Sequence, residues 1–124
     1  MENPNGLIAP PEFWAMSEDE INRKYYGCGP GKIGNWLVPD EFYGINIKVA
    51  CQIHDKLYEL GRTEEDKINA DCQFLHNMYI LIEAKNYPIF EPLCYHRAHI
   101  YYEAVCHCGH KAFWNGKLNK LTTC

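Results

Sequence analysis

The sequence has no excess of positive charge and no long apolar run, and each absence excludes a class of protein. Its 124 residues carry 12 Lys and Arg against 16 Asp and Glu, a formal net charge of −4. Nucleic-acid-binding domains are usually basic, so we expect no nucleic-acid partner. No stretch approaches the roughly 18 apolar residues of a membrane-spanning helix. Internal repeats and low-complexity tracts are also lacking, which predicts one small domain over residues 1–124.

The start of the chain lacks the pattern of a secretory signal peptide, a basic segment followed by an apolar one. If such a peptide has been removed from this numbering, we expect a secreted protein. If the protein never used one, a virion-associated or intracellular location is the alternative. Seven cysteines favour disulfide staples, but their odd number leaves at least one thiol unpaired within the chain.

Helical patterns dominate the sequence, and strand signals are weak throughout. Ser17 begins a capping-box pattern that predicts a short helix as far as residue 25. Residues 46–60 place apolar side chains at helical spacing, and a second capping-box pattern at Thr63 starts the next helix. The short turn between these two helices predicts that they lie antiparallel. Residues 94–108 are a candidate third helix, and the tail from Gly109 is predicted as loop with possible short strands.

Asp71 is the most informative position, because it lies on an apolar stripe of the second antiparallel helix. The stripe consists of Ile68, Leu75, Met78 and Ile82. A buried carboxylate needs a partner, and the facing helix offers His54. An Asp that accepts a hydrogen bond from one imidazole nitrogen leaves the other nitrogen as a base. Tyr58, one turn along, is spaced to donate a further hydrogen bond to Asp71. A purely structural Asp–His pair is the alternative interpretation.

Asp55 directly follows His54 and suggests a base beside a metal ion. From residue 27 to residue 44 the chain carries five glycines and two prolines, which predicts an ordered loop. Its Cys28-Gly29-Pro30-Gly31 run has the turn-forming composition that lets backbone carbonyls converge on one point. Ca²⁺ prefers carbonyl and carboxylate oxygens, so these residues favour a calcium site.

These segments together resemble the secreted phospholipase A2 family. That family is marked by C-G-x-G in a calcium loop, by C-x-x-H-D-x-x-Y on a helix, and by an Asp on the antiparallel helix. Here the three elements are residues 28–31, residues 51–58 and Asp71, within a motif-bearing core of about residues 26–79. The long spacer before His54 is similar to the bee-venom-type branch. Residues 70–74 are similar to the phospholipase domains of parvovirus capsids.

The resemblance implies a mainly α fold, namely a small phospholipase A2-like domain with a calcium loop and two antiparallel helices supported by disulfides. It implies that Ca²⁺ is held by the backbone carbonyls of Gly27, Gly29 and Gly31 and by the carboxylate of Asp55. It also implies a Cys28–Cys51 disulfide that ties the calcium loop to the helix. Partners of the remaining cysteines stay open: Cys72, Cys94, Cys106, Cys108 and Cys124.

The resemblance also implies roles in catalysis. His54 would take a proton from the water that attacks the substrate, Asp71 would orient His54, and Tyr58 would support Asp71. The backbone amide of Gly29 is a candidate oxyanion donor. The family often has a second tyrosine beside the Asp, and three candidates remain open: Tyr95, Tyr101 and Tyr102.

The implied activity is calcium-dependent hydrolysis of the sn-2 ester of glycerophospholipids, releasing fatty acid and lysophospholipid. We expect a monomer that acts at the surface of a phospholipid membrane or micelle. Two alternatives remain, a non-catalytic phospholipase A2-like toxin or lipid-binding module, and a virion-associated phospholipase that breaches a membrane. Phe13, Trp14 and Met16 either form a patch that docks on lipid or pack against the core.

A transition-metal site near the end of the third helix is a weaker alternative. Its candidate ligands are Cys94, His96, His99, Cys106, His107, Cys108 and His110. Their spacing fits no standard zinc motif, and disulfide use of the cysteines is favoured over zinc.

Overall fold

The computed structural model describes residues 3, 5–25 and 41–115, and these residues are mainly helical, as predicted. They form six helices and one hairpin, in the order α1 (Pro11–Trp14), α2 (Glu18–Lys24), β1 (Glu41–Phe42), β2 (Ile45–Asn46), α3 (Lys48–Leu60), α4 (Glu64–Lys85), α5 (Glu91–Cys108) and α6 (His110–Trp114). None of these helices is long and apolar enough to cross a bilayer.

Both predicted capping boxes are present and fix where two helices begin. The Ser17 hydroxyl accepts a hydrogen bond from the Glu20 amide at the start of α2. The Thr63 hydroxyl accepts one from the Asp66 amide at the start of α4. In each case the acidic side chain bonds back to the amide of the capping residue, so two otherwise unpaired donors are satisfied locally.

The helices α3 and α4 are antiparallel, which confirms the prediction made from their short connection. The His54 ring lies 4.8 Å from the Phe74 ring, between ring centroids. Further along α3, the Tyr58 ring lies 5.8 Å from the ammonium of Lys67. A later residue of α3 therefore meets an earlier residue of α4, and the connection between the helices spans residues 61–63.

Three apolar clusters surround α3. The first lies between the hairpin, α3, α4 and α5 and includes Phe42 and Met78. The second packs the N-terminal segment, α1 and α2 around Phe13 and Ile53. The third joins the C-terminal half of α3 to α6 and includes Phe113. Most of α3 is consequently buried, and its polar residues need partners inside the protein.

The N-terminal aromatic segment belongs to this core. Phe13 is fully buried, and Trp14 and Met16 pack against the same cluster while partly buried. This arrangement agrees with the packing interpretation. A role for these side chains in docking on lipid receives no support from their burial.

The buried face of α4 matches the predicted stripe only in part. Its buried residues are Lys67, Ala70, Asp71, Phe74, Asn77, Met78 and Ile82. Ile68 was predicted to be buried, but its side chain is 55% exposed. Helical geometry allows only one face to meet the core, and the face that carries Asp71 also carries Lys67. The sequence pattern was wrong here because Lys67 is buried in place of the apolar Ile68.

Three further elements differ from the sequence prediction. The tail was predicted as loop or strand, whereas residues 110–114 form α6, which buries Phe113 and Trp114. Across the end of the predicted loop, residues 41–46 form a hairpin whose turn residues Tyr43 and Gly44 have φ of 48° and 78°. Positive φ at both turn residues is typical of a tight two-residue hairpin. The third helix also begins earlier than predicted, at Glu91, because its first turn tolerates a proline.

Candidate functional site

His54 and Asp71 form a buried pair between α3 and α4. The Nε2 atom of His54 lies 2.8 Å from Oδ1 of Asp71. The two side chains are only 1% and 2% exposed. An ionised carboxylate can only accept, so Nε2 donates this hydrogen bond, and Nδ1 has a lone pair whenever the imidazole is neutral. The structure thus brings together the two residues that the sequence predicted, and it leaves His54 with one basic nitrogen.

Tyr58 completes the contact to the same carboxylate oxygen. Its hydroxyl donates to Oδ1 of Asp71 at 2.7 Å. Burial raises the pKa of the Tyr58 hydroxyl far above its ordinary value, and the charge of Asp71 and the hydrogen bond to it act in the same direction. The Tyr58 ring packs edge-on against Phe113 at 5.2 Å between centroids. Tyr58 is therefore a fixed, protonated donor, as the sequence predicted.

The other oxygen of Asp71 is held by Lys67, which sequence reasoning missed. The Lys67 ammonium donates to Oδ2 of Asp71 at 2.7 Å and is only 2% exposed. It also donates to the backbone carbonyls of Val105 at 3.1 Å and Cys106 at 3.4 Å. The signal that could have found it is the four-residue spacing between Lys67 and Asp71, which puts both on one helix face.

The surroundings of Asp71 keep its carboxyl group ionised. Burial alone raises the pKa of the Asp71 carboxyl. The hydrogen bonds and charges of His54 and Lys67 act against burial and outweigh it, so the pKa lies below its ordinary value. The carboxylate can therefore stabilise an imidazolium on His54.

The three tyrosines considered as a second support for Asp71 lie in other surroundings. The Tyr95 ring packs edge-on against Tyr79, and the Tyr101 ring packs against Phe42. The Tyr102 hydroxyl lies 3.9 Å from the sulfur of Cys72. Among the described residues, the additional support of the Asp71 carboxylate comes from Lys67, which is on the same helix, α4.

Asp55 is buried beside the point where the chain enters the glycine-rich segment. Its side chain is nearly inaccessible, in the middle of α3. One turn earlier on α3, the Gln52 amide donates to the backbone carbonyl of Tyr25 at 3.2 Å. The charge of Asp55 is one of the influences that raise the pKa of Tyr25, after burial and Glu59. Residue 25, the last described residue before the segment, is thus fixed against the region of α3 that carries Asp55.

The other predicted calcium ligands lie outside the described residues. These are Gly27, Gly29 and Gly31, and the same holds for the proposed oxyanion donor at Gly29. Over the ranges that the structure does describe, no group of three His, Cys, Asp or Glu side chains could hold a metal ion. The predicted site needs only one such side chain, Asp55, together with backbone carbonyls. The calcium site therefore stays a prediction.

Comparisons with known proteins name no family for this geometry. No protein-family model, curated protein or solved structure matches the chain significantly. The function of the site has to be inferred from its own residues.

The described cysteines divide into two groups. Cys51 on α3 and Cys108 on α5 each take part in a disulfide. Cys72, Cys94 and Cys106 are free thiols. Cys28 and Cys124 are outside the described residues, so the Cys28–Cys51 pairing stays a prediction.

The alternative zinc ligands point to different partners. Cys108 is disulfide-bonded, which removes one thiolate from the proposed set. His107 contacts Glu103 within α5 at 3.1 Å, and His110 contacts Glu64 on α4 at 2.7 Å. The first contact lies within one helix and the second joins α6 to α4, so the two histidines do not converge on one point. The structure therefore gives the zinc alternative no support.

Proposed function

We propose that the protein is a calcium-dependent phospholipase A2 that hydrolyses the sn-2 ester of glycerophospholipids and releases fatty acid and lysophospholipid. The observation that carries the proposal is the buried His54–Asp71 pair, with Tyr58 on the same carboxylate oxygen and Asp55 next to the base. A buried Asp–His pair could be purely structural. Asp55, a second buried carboxylate that directly follows His54 on α3, favours a metal-assisted reaction over that alternative.

In this proposal His54 acts as the general base through Nδ1. The nitrogen accepts a proton from the water that attacks the ester carbonyl, and the ring becomes an imidazolium. Asp71 stabilises that cation across the Nε2 hydrogen bond and keeps the ring in one orientation. Tyr58 holds the carboxylate oxygen that faces His54. The proton then leaves His54 to the departing alcohol of the lysophospholipid.

Asp55 and the glycine-rich segment have the donor chemistry that Ca²⁺ prefers. The Asp55 carboxylate and the backbone carbonyls of Gly27, Gly29 and Gly31 would hold the ion, and all of these donors are oxygens. The hydrogen bond from Gln52 to the Tyr25 carbonyl holds the last described residue before the glycine-rich segment against α3, the helix that carries Asp55. When bound, Ca²⁺ supplies a Lewis acid for the ester carbonyl and a counter-charge for the substrate phosphate. The Gly29 amide would add a hydrogen bond to the oxyanion.

The substrate would reach the protein at a phospholipid membrane or micelle surface, and we expect a monomer to suffice. A secreted location, or delivery by a virion, is compatible with this chemistry and does not change it. The activity itself can be tested with no knowledge of the location.

The decisive test measures fatty-acid release from mixed phospholipid vesicles, with Ca²⁺ or with a chelator. We expect release only with Ca²⁺. His54→Gln should abolish turnover and keep Ca²⁺ binding, measured by titration calorimetry. His76→Gln is the matched control, because His76 is exposed on α4 and should leave the activity unchanged.

Asp55→Asn tests the proposed metal ligand separately. We expect loss of calorimetric Ca²⁺ binding and of activity, with the folded state intact by circular dichroism. Asp19→Asn, at an exposed position in α2, is the control for removal of one carboxylate. Wild-type protein that binds Ca²⁺ but releases no fatty acid would favour the non-catalytic lipid-binding module. Equal release with Ca²⁺ and with chelator would contradict the calcium mechanism.

A further inference from the structure

We propose that Lys67 is a positioning residue of the site, which holds the second oxygen of Asp71 and through it the orientation of His54. The effect on catalysis rests on the proposed function. The effect on the hydrogen bond between His54 and Asp71 does not.

The burial of Lys67 is the first observation. An ammonium that is 2% exposed is costly unless every donor has a partner. Lys67 has three N–H donors and three acceptors within reach, namely Oδ2 of Asp71 and the carbonyls of Val105 and Cys106. The ammonium is therefore fixed in place, and the shortest of its contacts, 2.7 Å, goes to Asp71.

The division of donors between the two oxygens of Asp71 is the second observation. His54 and Tyr58 share Oδ1, and Lys67 holds Oδ2. Rotation of the carboxylate about its Cβ–Cγ bond would exchange the two oxygens or tilt Oδ1 away from His54. Lys67 lies one turn before Asp71 on the same helix, so its contact opposes this rotation from a rigid support. The hydrogen bond to His54 is then kept in a single geometry.

A purely structural role for Lys67 makes a different prediction. The Cys106 carbonyl lies in the last turn of α5, where carbonyls lack partners within the helix. A Lys67 that only joined α4 to this turn would contribute to stability. Its loss would then lower the midpoint of urea unfolding and leave the His54–Asp71 hydrogen bond as it is. The two roles can be separated by observing that bond directly.

The kinetic test compares Lys67→Met with Lys67→Arg. We expect Lys67→Met to lower kcat at least ten-fold while KM stays within two-fold, because the base loses its orientation but the substrate contacts remain. Lys67→Arg keeps the charge and should recover most of kcat. Lys85→Met, which removes one exposed lysine from the same helix, is the control and should stay within two-fold of the wild type.

The spectroscopic test follows the Nε2 proton of His54 by NMR and needs no turnover. In the wild type we expect a low-field resonance, typical of an imidazole N–H bonded to a carboxylate. Lys67→Met should broaden this resonance or move it upfield, and Lys67→Arg should retain it. An unchanged resonance in folded Lys67→Met would overturn the proposal and leave Lys67 a structural link, even if the protein lacks phospholipase activity.

A measurement on the wild type keeps the proposal testable if Lys67→Met does not fold. An ammonium held by three acceptors exchanges its protons slowly, so the ¹⁵Nζ signal of Lys67 should be observable and should show contacts to Asp71. A Lys67 ammonium in fast exchange with water would contradict the fixed geometry on which the inference depends.

Discussion

The carboxylate of Asp71 accepts hydrogen bonds from three donors, with His54 and Tyr58 on one oxygen and Lys67 on the other. Burial disfavours the anion, and the hydrogen bonds and charges of His54 and Lys67 favour it more strongly. A protonated Asp71 would offer a proton where these donors need an acceptor. The ionisation of this one residue therefore links the tautomer of His54, and the stability of the site, to pH.

The lowered pKa of Asp71 predicts a loss of stability in acid. A carboxyl group whose pKa is lower in the folded state binds its proton more tightly when the chain is unfolded. Its stabilising contribution is complete above the ordinary Asp pKa of about 4, and it is lost as the pH falls below that value. We expect Asp71→Asn to lower the free energy of unfolding by about 3–5 kcal/mol at pH 7. This difference from the wild type should shrink between pH 5 and pH 3.

Urea unfolding of both proteins across this pH range measures the effect. The comparison isolates Asp71 from the other carboxyl groups, such as Glu59, whose pKa is also lowered because Lys24 and Lys56 outweigh burial. A difference between the two proteins that stays constant with pH would show that Asp71 has the same proton affinity in both states.

Tyr58→Phe should weaken the site without removing its apolar packing. The ring can keep its contact with Phe113, while Oδ1 of Asp71 loses one donor. We expect a decrease of about 1–2 kcal/mol in the free energy of unfolding and a several-fold decrease in kcat. Tyr79→Phe removes a hydroxyl that contacts His99 between α4 and α5, and it should leave kcat unchanged. Equal effects of the two variants on kcat would contradict a specific role for Tyr58.

At the residue scale, sequence spacing was sufficient to predict which polar side chains pair with each other. Asp71, His54 and Tyr58 were predicted because a carboxylate at helical spacing with apolar residues requires donors. Lys67 was missed because a lysine is usually solvated, so the apolar Ile68 was assigned to the buried face in its place. Only the three acceptors around Lys67 reveal its burial, and one of them, the Cys106 carbonyl, lies 39 positions away in the chain.

The junction between α5 and α6 affects the site through a glycine. Gly109 is buried where α5 ends and α6 begins. A Cβ atom at this position would collide with the hydroxyl of Tyr58 and would lie 2.5 Å from the carbonyl oxygen of Val105. The φ of Gly109 is −86°, which any residue adopts, so the requirement for glycine is one of space. The junction leaves room for the tyrosine that holds Asp71.

Gly109→Ala should therefore destabilise the protein by about 1–3 kcal/mol and lower kcat. The added methyl group displaces Tyr58 from Asp71 or separates α6 from α5. In the double variant Gly109→Ala with Tyr58→Phe, one of the two collisions is removed. We expect its destabilisation to be smaller than the sum of the single effects, measured by urea unfolding. Strict additivity would mean that the methyl group does not reach Tyr58.

At the element scale, the sequence was informative where local chemistry decides the structure. The capping boxes at Ser17 and Thr63 fix helix starts by contacts within four residues, so both were predictable. The hairpin and α6 depend on burial against distant residues. The short segment at residues 110–114 becomes a helix because Phe113 and Trp114 pack against Tyr58 and Ala70. No local pattern contains that information.

At the scale of the whole molecule, the three clusters around α3 explain why the candidate base is so deeply buried. One cluster meets α3 at Ala50 and Cys51, one at Ile53, and one at Tyr58. The helix that carries His54 is thus the centre of the apolar packing. Global unfolding and loss of the site should coincide.

The free thiols provide a probe of this packing. Cys72 is exposed on α4, whereas Cys94 is 0% exposed within the cluster of the hairpin, α3, α4 and α5. In the native protein we expect a thiol reagent to modify Cys72 quickly and Cys94 only when the cluster opens. Labelling of Cys94, followed by mass spectrometry in increasing urea, should rise together with unfolding measured by circular dichroism.

Two observations would contradict this picture. The unfolded, non-reduced chain should yield at least three thiols, from Cys72, Cys94 and Cys106, and a lower count would place one of them in a disulfide. Cys72→Ser should remove the fast phase of native labelling and leave Cys94 protected. Native labelling of Cys94 at the rate of Cys72 would mean that the cluster opens without global unfolding. The burial of His54 would then be transient, because α3 contributes to the same cluster.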